Sequence, residues 1–111
     1  MKRLKPGDVV IVNFPGASGI KRRLAVVLST DIYHTHRPDV IVDLLTTNIE
    51  AATAPTDYVL KDWEAAGLHF PSAFRSYILT LDDGTLPSIG HLSDCDWQEV
   101  QASLKLALAM P

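Results

Sequence analysis

Three consecutive cations, Lys21-Arg22-Arg23, are the residues of this sequence whose types and spacing best suit a chemical task. A guanidinium stays charged at physiological pH and grips a phosphate through two parallel donors, whereas an ammonium attracts it as a point charge. The same tripeptide at a hairpin tip is ordinarily a solvated surface, so it marks a site only if other groups converge on it. Thr46 and Thr47 offer hydroxyls, although threonine at a strand end is also plain β-propensity. Arg75 offers a second guanidinium, although in an aromatic segment it can equally lie along apolar surface beside Phe74 or Tyr77. His34-x-His36 supplies two metal-ligand types, but no third ligand stands nearby and the segment reads as loop, so solvated histidines and no metal site are expected. Cys95, in the first turn of an expected helix, has no histidine partner placed by sequence and is expected to be inert. His69, His91, Trp63 and Trp97 are expected to pack rather than to bind.

The elements that must position these groups are mostly strands. Pro6-Gly7 is turn chemistry, and the β-branched density of 8–14 predicts a strand buried on much of both faces. Residues 15–19 form a breaker cluster, read as too flexible for regular structure, and the three cations lead out of it into a second strand at 24–28. This is a long hairpin with a basic tip. Residues 29–37 read as polar connection, 39–45 as a third strand ending in Thr46-Thr47-Asn48, and 57–60 as a fourth. A single helical turn is expected at 63–67, stopped by Gly67, then a fifth strand at 72–81 that runs into an 82–84 turn. Ser93 fits an N-cap, with Asp94 and Asp96 complementing the helix dipole. Trp97, Val100, Leu104 and Leu108 then form one apolar stripe, predicting a terminal helix of about four turns. Short strands with turn signals suggest a small barrel.

At 111 residues, 47% hydrophobic and 21% charged, the chain has the composition of one ordinary globular domain, 1–111. With one cysteine no internal disulfide can form, and the basic N-terminus leads to a turn rather than an apolar signal core, so a cytoplasmic protein is expected. Its longest apolar runs fall far below the roughly 20 residues that span a bilayer, so no membrane partner is expected. The net charge of −3 argues against a polyanionic partner, but its distribution does not. Six of the ten Lys and Arg fall in the first 23 residues with Asp8 as the only acid there, giving +5 in that segment and −8 in the remainder.

In chain order, Pro6-Gly7-Asp8-Val9-Val10, Lys21-Arg22-Arg23 before Ala25-Val26-Val27-Leu28-Ser29, Thr46-Thr47-Asn48, Gly67-Leu68, Pro71-Ser72, Thr80-Leu81-Asp82 and Ile89-Gly90-His91-Leu92-Ser93 together resemble the MazF/PemK-like type II toxin family. The resemblance implies an SH3-like barrel with a C-terminal helix, usually homodimeric, that cuts single-stranded RNA without metal or cofactor until a cognate antitoxin covers the site. It also assigns roles. The family's catalytic arginine, at the start of the second strand, corresponds to Arg23, and its strand-end threonine to Thr46, with Thr47 one residue out of register. Lys21, Arg22, Thr47, Ser72 and Arg75 are implied to contact RNA. Leu24 stands where a proline usually follows the arginine, Tyr77 where related toxins carry an aspartate, and Gly16-Ala17-Ser18-Gly19 replaces the usual hairpin tip.

The chemistry so implied is attack of a 2′-hydroxyl on the neighbouring phosphorus, with arginine stabilising the charge that develops. No general base is evident in the sequence. The alternative is an SH3-like module, or a decayed toxin, that binds RNA or protein without cutting, since fold does not fix function. Convergence of Arg23 and Thr46 on one concave surface discriminates the two.

Overall fold

The computed structural model describes residues 4–17, 19–82 and 86–110, with the backbone alone for 14–16. Lys2, Arg3, Ser18 and most of the expected 82–84 turn lie outside the described residues. Six strands, β1 (Asp8–Gly16), β2 (Gly19–Val27), β3 (Val40–Thr46), β4 (Tyr58–Val59), β5 (Ala73–Leu81) and β6 (Ser88–His91), form one curled sheet in the order β4-β5-β3-β2-β1-β6. All five ladders are antiparallel. Among the described residues two α-helices, α1 (Asp31–His36) and α2 (Asp94–Leu108), and one 3-10 turn at Ile49–Ala51 complete the fold. The expected mainly β architecture with a terminal helix is what forms, as an open half-barrel whose edge strands are β4 and β6. Among the described residues no helix is long and apolar enough to cross a membrane.

Both faces of the sheet carry a core, which is why β1 reads as a continuous apolar run rather than an alternating one. On one face Val9, Val26, Leu45 and Phe74 pack with Val100 and Leu104 of α2, and Trp63 and Trp97 close its margin as the sequence suggested. On the other, Val10, Val12, Ala25, Val27, Val40 and Val42 pack within the curl of the sheet, joined by Leu4. The helix is capped as expected: the Ser93 hydroxyl accepts from the Asp96 N–H.

Asp96 fastens α2 to the sheet. It is fully buried and accepts hydrogen bonds from the Tyr58 hydroxyl (2.6 Å) and from the Lys61 and Asp62 N–H groups (3.1 and 2.9 Å). Burial of the Tyr58 phenol, and then its hydrogen bond to the Asp96 carboxylate and that carboxylate's charge, raise the phenol's pKa above the usual range. The 63–67 turn is held by a second close approach. Gly67 has φ +91°, and a Cβ on Gly90 would lie 2.0 Å from the Ala66 carbonyl oxygen, so two separate glycine motifs of the sequence meet where this turn crosses β6.

Four details depart from the sequence expectations. Within the expected breaker cluster Pro15, Gly16 and Gly19 are strand residues, paired as Pro15↔Ile20 and Gly16↔Gly19, because glycine supplies the backbone freedom that a tight hairpin requires. The 29–37 segment holds helix α1, capped by Thr30, whose hydroxyl accepts from the Tyr33 N–H. His34 is therefore no loop histidine: Nδ1 donates to the Leu4 carbonyl (3.0 Å), and Nε2 lies 2.6 Å from the buried Ser29 hydroxyl. Finally, Ser88–His91 is a strand, and His91 pairs through Nδ1 with Asp8 at 2.9 Å.

Replacing Asp96 by alanine removes a buried acceptor shared by three donors, so Asp96→Ala should lower the unfolding free energy by about 3 kcal/mol, and Tyr58→Phe by about 1 kcal/mol. Urea denaturation at constant m-value measures both. Equal, small losses would show that Asp96 is not the fastening.

Candidate active site

The β2–β3 ladder runs from Val27↔Val42 to Ala25↔Leu44 and stops. Two more residues in the same register would set Arg23 opposite Thr46. The strands part there instead, and Arg23, Leu44, Leu45, Thr46, Arg75 and Tyr77 line a cavity of about 130 Å³. Arg23 is held from its other side, where it pairs with Val12 in the middle of β2, because the hairpin continues four residues beyond it to Gly19. Thr46 is the last residue of β3. Its hydroxyl oxygen accepts from the Asn48 N–H at 3.1 Å, which leaves the hydroxyl proton free to be donated.

Arg75 and Tyr77 reach this cavity through an irregularity in β5. Leu45 pairs with Phe74 and Asp43 with Ile78, so Arg75, Ser76 and Tyr77 together face Leu44 alone. Ser76 has φ +57°, the left-handed region that a serine adopts only when its surroundings enforce it. Bulges of this kind re-aim side chains, and both flanking residues of Ser76 line the cavity.

Behind the bulge lies Asp43, fully buried on β3, with neither carboxylate oxygen in a hydrogen bond among the described residues. Burial pushes its pKa up to about 7, offset in part by the peptide N–H groups of Arg75 and Tyr77, which act from outside good hydrogen-bond geometry, and by the Arg75 charge. Asp43 is not among the residues that the sequence singles out. Its signal was a single acid inside the β-rich run that ends at Thr46.

The remaining candidates divide between two sides of the β3 end. Arg22, Thr47 and Ser72 line a second, more apolar cavity of about 380 Å³ with Gly67, His69 and Phe70. Strand alternation explains the split, since neighbours along a strand project to opposite faces. Arg75 thus groups with Arg23 and Thr46 rather than with the other residues expected to contact RNA. Ser72 is buried and its hydroxyl donates to the Phe70 carbonyl at 3.0 Å. Lys21 is exposed and lines neither cavity. Among the described residues there is no cluster of three or more His, Cys, Asp or Glu that could hold a metal ion, and Cys95 is exposed and free.

The raised Asp43 pKa has a consequence for stability. An unfolded Asp ionises near 3.8, whereas the folded protein holds the Asp43 proton to about 7. The contribution is therefore fully present below pH 4, falls as pH rises, and is gone above about pH 7. Asp43→Asn should accordingly gain on wild type between pH 5 and pH 8 in urea denaturation. Parallel pH profiles for the two proteins would contradict the assignment.

Comparison with known proteins gives a consistent result. A MazE–MazF complex from Deinococcus radiodurans matches with a TM-score of 0.78 at 21% identity, covering 99% of this chain and 100% of that one. An endoribonuclease in complex with its cognate antitoxin, from a mycobacterial species, matches with a TM-score of 0.79 at 21% identity and 97% coverage of both chains. The Mycobacterium tuberculosis toxin MazF-mt6 matches at 0.74 and 19% identity, over 94% of this chain and 98% of that one. At these identities the likeness shows the fold. No curated protein matches in sequence. The family description "PemK-like, MazF-like toxin of type II toxin-antitoxin system" matches residues 5–108, nearly the whole chain, and the chain belongs to that family.

Proposed function

We propose that this chain is the toxin of a type II toxin–antitoxin pair and acts as an endoribonuclease on single-stranded RNA, with Arg23 and Thr46 as catalytic residues. The observation that carries the proposal is the meeting of Arg23, Thr46 and Arg75 around one cavity where β2 and β3 part. Two guanidinium-bearing residues and a hydroxyl proton at one small concavity can stabilise the charge that develops on a phosphate under attack, which supports the catalytic reading.

The proposed reaction is a transesterification. The 2′-oxygen attacks phosphorus, the O2′–P bond forms and the P–O5′ bond breaks. The 2′-hydroxyl gives up its proton and the departing 5′-oxygen gains one, leaving a cyclic phosphate and a 5′-hydroxyl end. Arg23 stabilises the negative charge that grows on the non-bridging oxygens, and Thr46 donates its hydroxyl proton to one of them. Arg75 holds the same phosphate or its neighbour, and Tyr77, 59% exposed, offers a ring on which a flanking base can stack. Among the described residues the cavity lining contains no carboxylate or histidine, so charge stabilisation carries the larger share of the proposed catalysis.

Arg22 and Lys21 attract the RNA backbone from the hairpin, and Thr47 and Ser72 border its path on the other side of the β3 end. A cognate antitoxin, with carboxylates in place of phosphates, competes for Arg23 and Arg75. The exposed Phe70 and Ile89, which line the larger cavity, and Leu106 and Leu108 on α2, are the surfaces a homodimer would cover. The proposed setting is the cytoplasm, and no cofactor is required.

Purified protein incubated with a long unstructured RNA in EDTA should produce discrete cuts with 5′-hydroxyl ends. Arg23→Ala should slow cleavage by roughly a hundredfold, while Lys21→Ala and Arg22→Ala should weaken binding and flatten its salt dependence by about one phosphate contact each. Activity that requires an added divalent ion, or an Arg23→Ala variant at the wild-type rate, would overturn the proposal.

A further inference from the structure

Asp43 is a buried acid for which the proposed mechanism has no direct use. It cannot touch RNA, being 0% exposed, and among the described residues neither of its carboxylate oxygens has a hydrogen-bond partner. The contrast with Asp96, equally buried but held by three donors, is informative, because an unpartnered buried carboxylate is costly and such residues concentrate at functional sites. Asp43 lies three residues before Thr46 on the same strand and pairs directly with Ile78, at the point where β5 leaves regular register. The polar groups acting on it are the peptide N–H groups of the two residues that flank strained Ser76, and both of those residues line the Arg23–Thr46 cavity.

We infer that Asp43 is a positioning residue: its carboxylate, acting from behind the sheet on the Arg75 and Tyr77 peptides, fixes the β5 bulge and thereby the aim of Arg75 and Tyr77 into the cavity. A carboxylate draws two N–H dipoles toward one point. That supplies enforcement for the left-handed Ser76, whose side-chain hydroxyl makes a long hydrogen bond, 3.5 Å, to the Thr56 carbonyl. A neutral carboxyl draws them far less, so the aim sharpens as Asp43 ionises. The groups facing it are few. From β5 come the Arg75 charge and Tyr77, from β2 the apolar Val26, and at the margin of the core that includes Val26 stands Tyr58, whose phenol is committed to Asp96. This role rests on the ribonuclease proposal only for what Arg75 does once aimed.

The test combines NMR with kinetics on the intact protein. In wild type, the Asp43 side-chain carboxyl carbon and the Arg75 and Tyr77 amides should titrate together with one midpoint near pH 7. In Asp43→Asn, isosteric and uncharged, the two amides should lose that transition. Cleavage by the variant should fall about tenfold at pH 8 and less than twofold at pH 6, so that the wild-type pH profile loses a limb near neutrality. Amides that do not titrate with Asp43 in wild type, or that keep the transition in Asp43→Asn, would overturn the inference, and the wild-type titration decides even if the variant fails to fold. Coupled titration in a protein that cuts no RNA would support the positioning role while refuting the ribonuclease proposal.

Discussion

Everything at the candidate site depends on the register between β2 and β3. Because successive residues of a strand face opposite ways, the pairing Ala25↔Leu44 assigns Arg23 and Thr46 to one face and Arg22 and Thr47 to the other. A slip of β3 by one residue would bring Thr47 rather than Thr46 to the face of Arg23 and put Val42 on the wrong core. Register is fixed strongly here because both faces are buried lower down, by Val9, Val26 and Leu45 against α2 and by Val10, Ala25 and Val42 within the curl. The core therefore determines the site at a distance. Valines that never touch a substrate decide which cation meets which hydroxyl.

That constraint is combined with two local departures from regularity. The β2–β3 ladder ends just where Arg23 and Thr46 would pair, which opens a cavity between strands that elsewhere touch. The β5 ladder gains residues opposite Leu44, which brings Arg75 and Tyr77 to the same opening. Both departures cost stability, the first in lost hydrogen bonds and the second in the strain at Ser76 and the desolvation of Asp43. Asp96 marks the opposite policy: a buried carboxylate with three donors in place, holding α2 and the 61–62 backbone to the sheet.

Much of this was legible in the sequence, for identifiable reasons. The strands carried dense β-branched residues, the Ser93 cap and the Trp97–Leu108 stripe specified α2, and the ordered motifs pointed to the family before any geometry was known. Helix α1 was missed because it presents no buried face: its stability comes from the Thr30 cap and from His34 reaching Leu4, far away in the chain. The Gly16–Gly19 tip was misjudged because glycine is permissive of a tight hairpin as well as of disorder. The division of Arg22, Thr47 and Ser72 from Arg75 needed the register, which no single strand contains. Asp43 and the bulge were invisible for the same reason, since a bulge is a relation between two strands.

The central claim is that the scissile phosphate sits where β2 and β3 part. It is tested most directly by a structure of the protein with an RNA carrying a 2′-deoxy sugar at the cleavage position, which binds without reacting. The account predicts that phosphate in contact with the Arg23 guanidinium and the Thr46 hydroxyl, with Arg75 on the same or the adjacent phosphate. A scissile phosphate in the cavity of Arg22, Thr47 and Ser72, beyond reach of Arg23, would contradict it.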